Sequence, residues 1–183
     1  MTTRIEKDFR FRSAVHFENK FEVNSYALTL SMLVETESLR EQNIALSRIT
    51  YFLEHVLQDS IFIFTKNKVA LRKYIKAGIR TCELPDEPCD KVVSMIILLK
   101  LNSILEGRLK ITDLMLKSTL GGGTKYNVVM EIAEGLYSGN HWWNKSCTHI
   151  KECEETDITD DNIVKLFDDS SWGEFDLTWK VKK

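Results

Sequence analysis

Apolar and polar residues alternate along the first part of the chain, which is the pattern of strands with one buried face. Within residues 8–17 the apolar side chains fall on one face, while Arg10, Arg12 and His16 fall on the other. We therefore predict a strand here with its polar face in water. A turn near residues 18–20 and a second, longer strand over residues 21–34 complete a hairpin.

Helical spacing replaces this alternation in three segments. Ser38 and Glu41 form a capping-box pattern ahead of apolar residues at helical spacing, which predicts a helix that ends at residue 57. Residues 67–77 predict a second helix. Residues 89–106 predict a third, which is apolar nearly all round and should be the central buried helix of the fold.

The remaining segments predict strands, at residues 61–64, 79–84, 109–119 and 124–132. Hairpins at both ends with helices between them indicate an α+β fold. We predict a mixed, mainly antiparallel sheet with terminal hairpins packed against about three helices. Four side chains should be nearly fully buried in its core: Ile49, Phe52, Ile96 and Leu99.

The chain has 183 residues, of which 43% are hydrophobic and 28% charged, which is the composition of a globular domain. The charged residues are unevenly distributed along it. Residues 151–176 hold ten acidic and two basic residues, a charge of −8, and the rest of the chain carries +6. We predict one α+β domain over residues 1–150. An acidic, aromatic-containing segment over residues 151–183 should dock on this domain, and on its basic helix in particular.

Basic residues concentrate in the second predicted helix, since residues 66–80 contain six of them and no acidic residue. Such a helix can neutralise phosphates, with added charge from the first strand and a tyrosine to stack on a base. A solvated helix face is the alternative. The candidate residues for binding nucleic acid or another partner are Arg10, Arg12, Lys68, Arg72, Lys73, Tyr74 and Lys76.

Potential metal ligands cluster near the end of the predicted domain. His141, Cys147, His149 and Cys153 are of the types that bind zinc, although their spacing matches no common zinc motif. The alternative is a segment that binds no metal, and no other cofactor is expected. Residues 121–123 are three consecutive glycines, for which a hairpin turn is favoured over a phosphate-binding loop because no helix follows.

No established catalytic motif is present, but several stretches resemble small proteins encoded by large tailed bacteriophages. The resemblance is carried by residues 48–52, 84–88, 100–109, 112–113, 121–122, 126 and 142–143. It implies a protein made in a bacterial cytoplasm, and it brings no catalytic residues with it. The absence of an export signal and of a membrane-length apolar run agrees with that location.

These observations predict a non-enzymatic phage accessory protein that acts by binding a macromolecule, either a protein or nucleic acid. Two alternatives remain open: a metal-dependent enzyme or zinc-stabilised protein that uses the cysteine and histidine segment, and a virion or assembly component. We expect no membrane partner. A homo-oligomer remains open.

Overall fold

The computed structural model describes residues 3–18, 20–127, 139 and 141–150, and its first feature is a long hairpin. Strand β1, Arg4–Phe17, pairs antiparallel with β2, Lys20–Val34. Their register runs without a break from Arg4 opposite Leu33 to Phe17 opposite Lys20. The alternation in the sequence therefore predicted both strands.

Four further described strands extend this hairpin on both sides. Strands β3, Ile61–Phe64, and β4, Thr81–Leu84, join in parallel on the β1 side. Strands β5, Leu109–Ser118, and β6, Thr124–Asn127, join antiparallel on the β2 side. The order β4-β3-β1-β2-β5-β6 confirms the predicted α+β class with a mixed, mainly antiparallel sheet.

Two of the three described α-helices cover one face of the sheet, which we call the inner face. Helix α1, Leu39–Tyr51, continues as a π-helix over Phe52–Leu57, and helix α3 spans Asp90–Leu105. Their apolar side chains share one core with alternate residues of the strands, among them Phe11, Leu28 and Phe62. No described helix is long and apolar enough to cross a membrane.

Helix α2, Lys68–Lys76, packs on the opposite, outer face. Its Leu71 forms a second, small cluster with Ala14, Ile61 and Ile63. The intervening residues of those strands belong to the main core, so the alternation of the strands places the two clusters on opposite faces. Helix α2 covers the β1, β3 and β4 part of the outer face. No described helix packs on the rest.

The N-terminal end of α1 differs in one detail from the predicted capping box. Ser38 caps the helix by accepting a hydrogen bond from the Glu41 N–H, as predicted. The Glu41 carboxylate instead accepts from Arg108 Nε at 2.6 Å. The Ser38 N–H donates to the hydroxyl of Thr36, so a different side chain satisfies it.

The core prediction is confirmed for Ile49, Phe52 and Ile96, which are almost completely buried. It is wrong for Leu99, which is only partly buried against the edge of the core. The predicted acidic segment, residues 151–183, lies outside the described residues, and its docking stays a prediction.

Candidate anion-binding site

The part of the outer face that α2 leaves open carries three basic side chains from two strands. Arg10 and Arg12 lie on β1 on the same side as Ala14, which faces α2. Pairing places Arg10 opposite Ala27 of β2, and Ala27 opposite Lys117 of β5. Two cations thus flank one small side chain, with backbones roughly 10 Å apart because neighbouring strands are about 4.8 Å apart.

A shallow depression of about 570 Å³ lies among these side chains. Its floor is formed by small residues of the central strand, Ser25 and Ala27, and by strand backbone. Because the middle strand carries no long side chain here, space remains between the flanking cations. The side chains that line it on this face are Arg10, Arg12, Ser25, Ala27, Lys117 and Thr119. We call this the anion site.

Electrostatic partners are unevenly distributed within the anion site. Arg12 pairs with Asp59, whose carboxylate lies 3.1 Å from one guanidinium nitrogen, and both side chains are largely exposed. Its backbone N–H donates to the Gln58 side chain at 2.8 Å, which fixes this part of β1. Among the described residues, Arg10 and Lys117 have no ion pair. The site therefore has an excess of positive charge.

A buried asparagine holds the end of β5 against β2. The Asn24 side-chain oxygen accepts hydrogen bonds from the Thr119 N–H at 3.0 Å, the Thr119 hydroxyl at 2.9 Å and the Leu120 N–H at 3.2 Å. The Thr119 hydroxyl in turn accepts from the Ser25 N–H. Three bonds to one amide oxygen give this edge of the anion site a defined position.

The residues predicted from sequence to bind nucleic acid fall into two places. Arg10 and Arg12 line the anion site, whereas none of the basic residues of α2 does. All four basic residues of α2 are exposed: Lys68, Arg72, Lys73 and Lys76. The Lys68 ammonium nitrogen lies 3.8 Å from a carboxylate oxygen of Glu83. Tyr74 is only partly exposed, and its hydroxyl shares a 2.8 Å hydrogen bond with His16 Nδ1. Its ring also packs against the rings of His16 and Phe21, so it is not a free stacking platform.

His16 corrects the prediction that every polar residue on the outer side of β1 is exposed. Its side chain is 7% exposed because α2 packs over this end of the strand. Among the described residues its Nε2 has no hydrogen-bond partner. Alternation identified the face correctly, but it contained no information about a helix that covers half of that face.

The cysteine and histidine segment does not assemble a metal site among the described residues. His141 stacks on Trp143, with ring centres 4.4 Å apart, and His149 Nε2 shares a 2.8 Å hydrogen bond with the Tyr51 hydroxyl. Cys147 is disulfide-bonded and therefore offers no thiolate. The fourth predicted ligand, Cys153, lies outside the described residues.

Lys100 is a buried charged residue that the sequence analysis did not identify. It is completely buried on α3, and its ammonium donates to the carbonyls of Trp142 at 2.7 Å and Lys145 at 2.9 Å. Burial, reinforced by the charge of Lys145, lowers its pKa to about 7. The available signal was a lysine inside a helix that is otherwise apolar nearly all round. The geometry indicates that Lys100 holds the 142–145 segment against α3.

The glycine run forms the predicted hairpin turn between β5 and β6. Asp90, the first residue of α3, accepts hydrogen bonds from the Gly123 N–H and the Ser118 hydroxyl, each at 2.9 Å. A Cβ atom at Gly121 would collide with the Asp90 carboxylate. The turn is thus a structural contact with α3 and not a phosphate-binding loop.

Comparison with known proteins gives only fold relationships. No family model and no curated protein matches the chain. An uncharacterised protein from Wolinella succinogenes matches with a TM-score of 0.52 and 10% identity, covering 69% of this chain and 98% of that one. A 6-pyruvoyl tetrahydropterin synthase from Plasmodium vivax matches at 0.43 and 9%, covering 69% and 96%. The Plasmodium falciparum synthase matches at 0.39 and 11%, covering 68% and 96%.

These neighbours contradict the predicted function. The predicted non-enzymatic phage accessory protein that binds a macromolecule finds no counterpart among them, because the matches named above are an uncharacterised bacterial protein and two synthases. At 9–11% identity they show the fold alone and bring no activity to this chain. The resemblance to phage proteins is not tested by these matches and stays a prediction.

Proposed function

We propose that this protein binds a small phosphate-type anion at the anion site on the outer face of the sheet. The observation that carries the proposal is the cross-strand row of Arg10, Ala27 and Lys117, with Arg12 two residues along β1. Two cations in this row have no ion pair among the described residues, and they flank a depression whose floor is an alanine and a serine.

The chemistry of these side chains favours a multiply charged oxyanion. Guanidinium groups bind phosphate oxygens through paired N–H donors, and an ammonium adds a point charge. A cation about 4 Å from an anionic oxygen contributes about 1 kcal/mol in bulk water and about 4 kcal/mol at the effective dielectric of a protein surface. Arg10 and Lys117, which have no ion pair among the described residues, are therefore enough for measurable binding of a dianion, with a smaller contribution from Arg12, which is paired with Asp59.

Calorimetric titration with pyrophosphate at low salt tests the proposal. We expect Arg10→Gln and Lys117→Gln each to weaken binding by about fivefold or more, because each removes about 1 kcal/mol or more of attraction. Ala27→Leu should weaken it further by filling the floor. Lys110→Gln is the matched control, since Lys110 lies on the same strand about 23 Å away.

Two results would contradict the proposal. One is a titration with pyrophosphate that shows no binding to the unaltered protein. The other is an equal loss of affinity in the Lys110 control, which would mean that pyrophosphate responds to net charge and not to this site.

Zinc binding by the cysteine and histidine segment is a separate hypothesis. His149 is engaged by Tyr51 and Cys147 is disulfide-bonded, so the described residues of this segment do not support it. Elemental analysis of the purified protein decides the matter. One zinc per chain would support the hypothesis, and a trace amount would refute it.

A further inference from the structure

Exposed apolar side chains concentrate around α2 and the tip of the β1–β2 hairpin beside it. Eight large hydrophobic residues are exposed in the described part of the chain, and six of them belong to this region. The hairpin tip contacts the helix through the rings of Phe21 and Tyr74, whose centres lie 6.3 Å apart. The six are Phe17, Phe21, Val23, Val69, Ile75 and Ile79.

Val69 of α2 points away from the sheet, whereas Ile75 lies one turn beyond the buried Leu71 on the same side of the helix. Leu71 is the buried residue of α2, and Val69 lies nearly opposite it on the helix, 84% exposed. Ile75 is 56% exposed, and Ile79 follows the helix at 40%. An aliphatic side chain as exposed as Val69 is not explained by the packing of this domain.

Basic side chains surround these apolar positions. Lys68, Arg72, Lys73 and Lys76 are exposed on the same helix, although the Lys68 ammonium also lies 3.8 Å from the Glu83 carboxylate, and residues 66–80 contain no acidic residue. Arg80 does not belong to this set, because its guanidinium donates to the backbone carbonyls of His55 and Gln58. We call Val69, Ile75 and Ile79 with the four basic residues of the helix the α2 surface.

We infer that the α2 surface binds peripherally to an anionic lipid surface. Apolar residues that enter the headgroup region, flanked by lysine and arginine that face anionic headgroups, are the combination that such surfaces bind. Each basic residue near a membrane with anionic lipids contributes about fivefold in affinity. The inference concerns α2, is independent of the anion site, and is an alternative to the predicted docking of residues 151–183 on the same helix.

Two other partners fit these residues less well. Single-stranded nucleic acid uses aromatic side chains for stacking, whereas the exposed apolar residues of the α2 surface are aliphatic and the exposed phenylalanines, Phe17 and Phe21, lie on the neighbouring hairpin tip. Protein interfaces are depleted in lysine, and three of the four basic residues of the surface are lysines. A lipid surface accommodates both the lysines and the aliphatic residues.

Vesicle flotation with the full chain tests this inference. The probes are vesicles of phosphatidylcholine alone and of an equimolar mixture with phosphatidylglycerol. We expect binding to the mixed vesicles, none to phosphatidylcholine alone, and a clear loss as salt screens the charges. Val69→Ser with Ile75→Ser should reduce binding at least fivefold, and glutamine at all four basic positions should reduce it more than tenfold.

Leu39→Ser is the matched control, because Leu39 is an exposed leucine at the start of α1, away from α2, and its replacement should leave binding unchanged. The inference is overturned if mixed vesicles do not bind, if the serine variant binds as well as the unaltered chain, or if phosphatidylcholine alone binds equally well. It is also overturned if an oligonucleotide displaces the vesicles and binds the serine variant undiminished. All substitutions are on the surface, and circular dichroism confirms that each variant is folded.

Discussion

Replacing Lys100 with methionine tests what the burial of its amine beneath the 142–145 segment contributes to the stability of the protein. The side chain is completely buried, and its ammonium donates to the carbonyls of Trp142 and Lys145. Methionine has a similar length and no charge. The substitution therefore removes the titrating group while keeping most of the packing.

The pH dependence follows from the difference in pKa between the folded and unfolded chain. Burial lowers the pKa of Lys100 from its ordinary 10.5 to about 7 in the folded protein. Between these values the unfolded chain binds the extra proton, so the free energy of unfolding rises with pH. At about 1.36 kcal/mol per pKa unit the rise amounts to roughly 3–5 kcal/mol between about pH 7 and about pH 10.

Urea unfolding followed by tryptophan fluorescence measures this free energy at a series of pH values. We expect the free energy of unfolding of the unaltered protein, minus that of Lys100→Met, to increase steadily from about pH 7 to about pH 10. Lys91→Met is the control, since Lys91 is an exposed lysine on the same helix, and this variant should keep the rise. Parallel curves for the unaltered protein and Lys100→Met would refute the reasoning.

Two further substitutions test the packing of α3. Leu101→Ala should lower the free energy of unfolding by about 2–5 kcal/mol because Leu101 is fully buried, and Leu99→Ala should cost clearly less because Leu99 is only partly buried; equal losses would contradict this placement. Gly121→Ala should cost about 1–3 kcal/mol because its Cβ meets the Asp90 carboxylate, whereas Gly122→Ala, which meets nothing within 4 Å, should be nearly neutral; chemical denaturation of the two variants compares them.

Local pattern was enough to predict most elements of this fold. Alternation predicted β1 and β2, and an all-round apolar segment predicted α3 as the buried helix. The same pattern could not show that α2 packs on the face opposite α1 and α3. That choice depends on contacts between residues distant in sequence, such as Leu71 with Ala14.

For the same reason, only part of the anion site could be predicted from the sequence. Arg10 and Arg12 stood out because they interrupt an apolar strand two residues apart. In the sequence, Lys117 looks like any exposed strand residue. Only the strand pairing shows that it lies beside Ala27, and that Ala27 forms the floor of a depression between Lys117 and Arg10. Register between three strands, which composition and spacing do not contain, creates the site.

The central claim is that the outer face of the sheet binds an anion at Arg10, Arg12 and Lys117. Backbone amide chemical shifts recorded during a titration with pyrophosphate test it most directly, because they locate the ligand. We predict that the largest changes fall on residues 10–12, 25–27 and 117–119, with saturation. Largest changes on α2, or no saturable change anywhere, would contradict the claim.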